Sequence, residues 1–202
     1  MTDSKSGLEA FAGSLRKHGY AVSSFADARA AVEYLCANIS GETVGFGGSV
    51  TLDELGLYEA LGGNNEVVWH WRGRGEEERS RVAEFTVFLT SVNGAALTGE
   101  MVNIDGTGNR LACSLYRPRT VYFVIGRNKL APDLPAAINR ARNIASPRNA
   151  ARLGLDLPCA KDLRCHDCNR PDRICRAMVI HMRPMLNAER TEAVLIGADL
   201  GY

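Results

Sequence analysis

Four cysteines, Cys159, Cys165, Cys168 and Cys175, fall within one short stretch near the C-terminal end of the chain, spaced C-x5-C-x2-C-x6-C. The other two cysteines, Cys36 and Cys113, stand far from this group and from each other. The segment reads PCAKDLRCHDCNRPDRICR, with two prolines and no helical or strand period among its few apolar residues. A loop of that composition cannot hold itself together by burial, so four thiolates converging on a metal would supply the tie. A 4Fe–4S cluster takes four thiolates and suits a C-x2-C pair beside more distant cysteines. Structural zinc also takes four, usually from two short pairs, and here only Cys165 and Cys168 make one. Two disulfides would need an oxidising compartment, and four unliganded thiols are the plain alternative. His166, between two of the cysteines, can replace a thiolate or face solvent.

A second group of chemistry-bearing residues lies at strand ends. Gly45-Phe46-Gly47-Gly48-Ser49-Val50-Thr51 joins a predicted strand to a predicted helix. Glycines let backbone approach a ligand closely, amides at a helix start favour an anion, and Ser49 and Thr51 add hydroxyls. The pattern is neither a Walker loop nor GxGxxG, and a tight turn explains it equally well. Glu54 follows one turn into that helix. The segment Asn103 to Arg110 packs polar groups around turn dipeptides: Asp105 can act as a base or hold a hydroxyl, and Arg110 can clamp a carboxylate. Asn109 lies within it, and Asn93 in Ser91-Val92-Asn93-Gly94 ends the preceding strand. Gly126-Arg127-Asn128-Lys129 follows the run TVYFVI, and ligands of open α/β sheets gather at the carboxyl ends of strands. His18, His70 and His181 read as surface or strand residues rather than ligands. Order along the chain reveals no Ser–His–Asp triad.

These groups need a frame. The chain has 202 residues, 46% hydrophobic and 23% charged, enough for one α/β domain with a substantial core. Helices are expected over residues 6–18, from Asp27 as cap to about Ile39, over Leu52–Leu61, over Gly75–Glu84 and from about Pro132 to Ile144, with a restart at Pro147. Strands are expected at Tyr20–Phe25, Thr43–Phe46, Glu66–Trp71, Phe85–Thr90, Thr120–Ile125, Met178–Met182 and Ala193–Ile196, with a hairpin over Ala95–Ile104 around Gly99. TVYFVI is the clearest buried strand, of the kind found in a parallel sheet covered on both faces. The alternation of strands and helices predicts an open, mainly parallel sheet flanked by helices. One domain spanning residues 1–202 is expected, with residues 158–176 as a cysteine-rich loop within it.

A net charge of +1 predicts no electrostatic grip on nucleic acid. The N-terminal residues lack a signal-like apolar run, and no stretch approaches the roughly 18 apolar residues of a membrane span. A cytoplasmic protein with reduced thiols is expected, which counts against disulfides.

The segments GFGGSVTLDELGL (45–57), LTSVNGAALTGEMVNIDGTGNR (89–110), VIGRNKL (124–130), RARNIASPRNAARLG (140–154), CAKDLRCHDCNRPDRICR (159–176) and VLIGADLGY (194–202) run in order over nearly the whole chain. As a set they resemble the LUD-domain, or lactate-utilisation, proteins, in the stand-alone form with a cysteine-rich tail. Where members often carry Thr-Gly-Val-Asn-Ala, this chain has Thr90-Ser91-Val92-Asn93-Gly94. The resemblance implies a fold like that of the sugar-phosphate isomerase and CoA-transferase group, whose glycine-rich loop after an early strand binds an anionic group. That places Gly47, Gly48, Ser49 and Thr51 at substrate, oriented further by Asn93, Asn109, Arg110, Arg127 and Lys129, with Glu54 or Asp105 handling protons. It also implies organic-acid metabolism and a 4Fe–4S cluster at Cys159, Cys165, Cys168 and Cys175, with an electron-transfer protein as partner. The lactate-pathway members differ in architecture, so lactate itself does not carry over. The alternative is a non-redox isomerase-like or transferase-like enzyme, or a metabolite-binding accessory protein, with structural zinc. An exposed cysteine loop could also dock a second copy of the chain.

Overall fold

A computed structural model describes residues 4–73, 75–116 and 118–202. In chain order its elements are α1 (Ser4–Lys17), β1 (Ala21–Phe25), α2 (Ala28–Asn38), β2 (Thr43–Phe46), α3 (Val50–Glu54), α4 (Leu57–Gly62), β3 (Glu66–Val68) and α5 (Glu76–Ser80). Then come β4 (Val87–Thr90), β5 (Gly94–Ala96), β6 (Met101–Asp105), α6 (Asn109–Leu115), β7 (Thr120–Gly126) and β8 (Leu130–Ala131). The chain continues with α7 (Leu134–Arg140), α8 (Ser146–Arg152), α9 (Pro158–Asp162), β9 (Ala177–His181) and β10 (Arg190–Ile196).

Six strands form one parallel sheet in the order β1-β10-β7-β4-β2-β3. The TVYFVI run is β7, near its centre, and side chains alternate across it. Tyr122 and Val124 pack with Leu35, Leu52, Leu61 and Trp69 on one face. Val121, Phe123 and Ile125 pack with Phe11, Leu15 and Phe88 on the other. A strand buried on both faces needs no polar side, which is why this one reads as a continuous apolar run.

A second, smaller sheet, in the order β8-β5-β6-β9, stands beside the first. The β5–β6 pair is the expected hairpin, with Gly99 at φ 113°. It packs through Ala96, Val102 and Ile104 against Ala137 and Ala141. Gly94 allows this contact, because a Cβ there would stand 2.4 Å from the Ala137 carbonyl oxygen.

Several boundaries differ from expectation. The helix over Leu52–Leu61 is two helices, α3 and α4, broken at Gly56, whose φ of 61° is left-handed. The strand from Glu66 stops at Val68, and Trp69 to Arg72 turn away from the sheet. The charged segment after Gly75 is helical only over Glu76–Ser80, followed by a 3-10 turn at Arg81–Ala83. Asn109 and Arg110, read as the end of a turn, open the helix Asn109–Leu115. The helix expected from Pro132 starts at Leu134 behind the cap Asp133, and the restart at Pro147 is α8, with the proline in its first turn. No gap separates them: α7 runs into α8 through a π-turn over Ala141–Ala145, in which the Ser146 amide donates to the Ala141 carbonyl. Proline has no amide for the ladder and its ring crowds the carbonyl four residues back; the wider turn relieves that crowding without ending the helix.

Candidate functional site

The carboxyl ends of β2, β4 and β6, the turn after β7 and the side of α8 enclose a cavity of about 370 Å³. Gly48, Ser49, Thr51, Asn93, Asp105, Asn109, Arg110 and Lys129, all nominated from sequence, line it. Three nominated residues do not. Gly47 lies behind the wall, where a Cβ would meet Thr90 Oγ1 at 3.0 Å and the Arg110 side chain at 3.1 Å. Glu54 accepts from the Gly201 amide at 2.6 Å and is held by the C-terminal segment. Arg127 pairs with Asp199 on the surface at 2.8 Å.

The glycine-rich turn works by close approach. A Cβ at Gly48 would stand 3.3 Å from the Trp71 ring and 3.4 Å from His70 Nε2, so glycine lets the loop run beneath both. The helix behind it, α3, is a five-residue turn and brings little dipole of its own. Its hydroxyls already have partners: Ser49 Oγ accepts from the Leu52 amide at 3.4 Å, and Thr51 Oγ1 donates to the Leu200 carbonyl at 3.3 Å.

Asp105 and Arg110 form one nearly closed unit. Asp105 Oδ1 accepts from the Thr107 and Gly108 amides at 2.9 and 2.8 Å, and Oδ2 accepts from Arg110 Nε at 3.1 Å. Arg110 Nη1 donates to the Gly48 carbonyl at 3.4 Å, while Nη2 donates to Asn93 Oδ1 at 3.3 Å and to the Ile104 carbonyl. A guanidinium engaged at all three nitrogens is a structural tie among three segments rather than an open clamp. Burial lowers its pKa, and Asp105 opposes that effect.

Lys129 is different. It is 2% exposed and its ammonium donates to the main-chain oxygen of Tyr202. Burial pushes it down to about 7, and Arg140 and Arg110 push the same way against Glu54. Ser91 is also buried against the cavity, with no hydrogen-bond partner for its hydroxyl.

Sequence reasoning missed the opposite wall. His70, Trp71, Arg79, Asn149, Arg152 and Tyr202 line it. Trp71 stacks on Trp69 at 5.1 Å, and Trp69 on Phe46 at 5.2 Å. The Arg152 guanidinium lies 4.4 Å over Trp71 and donates from Nε to the Tyr202 phenol at 2.8 Å. Burial, then Arg79, lowers the His70 pKa. The visible signal for this wall was Trp69-His70-Trp71 directly after a strand.

The cysteine loop abuts the same site. Cys165 and Cys175, with Arg142 and Arg173, line a hollow of about 170 Å³ that shares Ile104 and Ser146 with the main cavity. Ile174 lines the main cavity itself. The loop leans on the Asp105 turn: the Arg176 amide donates to the Asp105 carbonyl at 3.0 Å, and a Cβ on Gly106 would stand 2.7 Å from the Ile174 carbonyl oxygen. Cys159 sits in a short helix, α9, and its thiol is pushed up by burial and then by Cys168 and Cys175. Arg173 Nη2 donates to Cys175 Sγ at 3.4 Å. The only non-glycine residues with left-handed φ among the described residues are Leu163 at 58° and Asp167 at 46°, either side of Cys165. Such outliers collect where a ligand or function fixes the backbone. Four free thiols are the donor set a 4Fe–4S cluster or zinc requires, although no three His, Cys, Asp or Glu among the described residues stand as a ready metal-holding group.

No curated protein matches the sequence. The crystal structure of a DUF162 family protein from Deinococcus radiodurans is similar, with a TM-score of 0.59, 13% identity, and 98% of this chain and 100% of that chain covered. At that identity the likeness is one of fold. The LUD domain family profile matches residues 8–196, nearly the whole chain, and the chain belongs to the LUD-domain family.

Proposed function

We propose that this LUD-domain chain serves organic-acid metabolism, binding a small organic anion in the cavity and a 4Fe–4S cluster at Cys159, Cys165, Cys168 and Cys175. The observation that carries the reading is the meeting of two features at one place: a cavity lined by Arg79, Arg110, Lys129 and Arg152 against the single carboxylate side chain of Asp105, and a cysteine loop that lines it through Ile174 and an adjoining hollow through Cys165 and Cys175. A cation-rich recess favours an anionic guest, because donors at its base act in a medium poorer in water than the surface. Lys129 would hold the guest's charge, Ser91 would donate or accept a hydrogen bond, and Asp105 with Arg110 would keep Asn93 and the glycine-rich turn in position. Near neutral pH the Lys129 amine exchanges its proton easily, so it is the group best suited to move one. That role replaces the earlier expectation for Glu54, which does not line the cavity, and for Asp105, whose two oxygens already accept hydrogen bonds. When bound, a 4Fe–4S cluster exchanges single electrons or acts as a Lewis acid, and an electron-transfer protein would be its partner. Among the described residues no helix is long and apolar enough to cross a membrane.

The test is metal and sulfide analysis, with a visible spectrum, on protein purified without oxygen. About four irons and four sulfides per chain with broad visible absorption are expected. One zinc and no colour would overturn the cluster and turn attention to the isomerase-like or transferase-like alternative with a structural metal.

A further inference from the structure

Two of the four clustered cysteines each have an arginine at the sulfur. Arg173 Nη2 donates to Cys175 Sγ at 3.4 Å, and its Nη1 donates to the Cys168 carbonyl at 2.7 Å, which fixes the guanidinium against the loop. Among the described residues its Nε is buried without a partner, a spare N–H on a guanidinium that already touches one thiol. Arg142 Nη2 reaches Cys165 Sγ at 3.9 Å, a longer contact, and pairs with Asp167 at 2.8 Å. The two arginines come from different elements. Arg173 belongs to the cysteine loop itself, whereas Arg142 belongs to the π-turn between α7 and α8. Asn143 of that turn accepts from the Cys165 amide at 3.3 Å, so the turn and Cys165 are held together by main chain as well as side chain. Both arginines line the hollow beside the main cavity with Cys165 and Cys175, and among the described residues no carboxylate lines it.

A neutral thiol is a weak acceptor and gives a guanidinium little. A thiolate or a metal-bound sulfur is a far better one, because the bond is then assisted by charge. A donor on a ligand sulfur also acts on the metal through that sulfur. It offsets negative charge and so favours the state that carries more of it, which for a 4Fe–4S cluster is the reduced state. We propose that Arg173, through Cys175, and Arg142, through Cys165, are positioning residues that raise the reduction potential of the cluster, so that it holds an added electron more firmly than four cysteines alone would allow. This rests on the reading of Cys159, Cys165, Cys168 and Cys175 as cluster ligands and adds to it the groups that set the cluster's poise. Arg173 has the larger effect of the two, because its contact is shorter and Asp167 stands farther from it, at 3.7 Å.

Potentiometric titration with dithionite, followed by visible absorbance and EPR on the whole protein purified without oxygen, tests this once iron and sulfide have been measured on each variant. Arg173→Met is expected to disfavour the reduced cluster about tenfold, a fall of about 59 mV in the midpoint of a one-electron couple. Arg142→Met should move the midpoint the same way by less. Arg173→Lys, which keeps the charge but loses the planar fork, should fall between Arg173→Met and the unsubstituted protein. Arginines that only brace the loop would alter melting or metal content and leave the midpoint where it was. Unchanged midpoints in both methionine variants, with the cluster intact, would overturn the inference and leave the cluster standing. If Arg173→Met alone loses its cluster, the midpoint of Arg142→Met decides. Loss of the cluster from both would overturn the inference as well, since the arginines would then be props of the loop. Zinc or no metal in the unsubstituted protein would overturn the cluster reading, and this one with it.

Discussion

Lys129 and Tyr202 meet across the closing segment of the chain, the buried ammonium donating to the main-chain oxygen of the last residue of the sequence. The same segment is tied to its surroundings at several further points. Asn128 Nδ2 donates to the Gly201 carbonyl at 3.0 Å, Thr51 to that of Leu200, and Glu54 accepts from the Gly201 amide. Gly201, at φ 54°, runs so close that a Cβ would meet Thr51 Oγ1 at 2.6 Å. Tyr202 is therefore part of the site, and burial pushes the pKa of the adjacent Lys129 down to about 7.

Lys129→Met should therefore change the pH dependence of stability with a definite sign. The ammonium releases its proton at about 7 in the fold against an ordinary 10.5, so between those values the unfolded chain holds the proton and the folded chain does not. Stability of the unsubstituted protein should rise with pH across that window, by about 1.4 kcal/mol per unit at most, and the full penalty should persist below it. Methionine removes the penalty. Chemical denaturation from pH about 6 to about 10 should show the variant more stable at the acid end, with the gap narrowing as pH rises. A constant gap would mean that Lys129 keeps its proton in the fold.

Arg110→Ala should act on the fold before it acts on binding. Its guanidinium joins Asp105, Gly48, Asn93 and Ile104, and both partners of the ion pair are mostly buried. Removing either partner strands the other, at a cost of about 3–5 kcal/mol. Asp105→Ala should cost a similar amount, and the double variant much less than the two added together, because the same unit is lost each time. Additive losses in urea titrations would show that the pair is not a unit.

How much of this could be read beforehand depended on the range of the forces involved. The central strand, the Asp27 cap and the Gly99 hairpin follow from local pattern, and the structure has them where the pattern puts them. The strand-end polar residues were legible because the carboxyl-end rule is topological, so Asn93, Asp105, Asn109, Arg110 and Lys129 converge as that rule requires. Roles within the site were not legible. Arg110 reads as a clamp in sequence and is saturated by neighbours in space. The Trp71–Arg152–Tyr202 wall joins three residues far apart in the chain, and no spacing announces it. The restart at Pro147 was legible, but the π-turn that joins it to α7 without a gap was not, because proline argues against a continued helix unless the turn widens around it.

His181 supplies an acid-side counterpart to Lys129. It is 2% exposed, packs against Phe123 at 4.9 Å and stands 3.4 Å from Ser114 Oγ. Burial, then the charge of Arg110, lowers it to about 4 from an ordinary 6.5. Between those values the unfolded chain takes up a proton that the fold refuses, so stability conferred by the neutral ring is present above about 6.5 and lost as pH falls towards about 4. The loss is on the order of 3 kcal/mol. His181→Gln should flatten the acid limb of the stability profile relative to the unsubstituted protein. Parallel acid limbs would show that the ring is protonated in the fold.

The cysteine loop yields the last prediction, through its backbone. Leu163 follows α9 in left-handed conformation, where glycine is the residue that terminates a helix without strain, and its side chain is 48% exposed. In protein stripped of metal, Leu163→Gly should therefore raise stability by about 0.5–1 kcal/mol, which for a chain of this size is roughly 1–4 °C in Tm. Cys168→Ser should behave in the opposite way. It should remove most of the bound metal and lower the Tm of the metal-loaded protein, yet leave the stripped protein unchanged, because its cost arises only where ligation couples to folding. The pair separates two explanations of the strained turn. If Leu163→Gly stabilises the stripped chain while the loaded chain gains nothing, the metal is what holds the turn. If Cys168→Ser changes neither metal content nor melting, the loop is held by its arginine and carboxylate contacts, among them Arg142 with Asp167 at 2.8 Å, and the four thiols are not ligands.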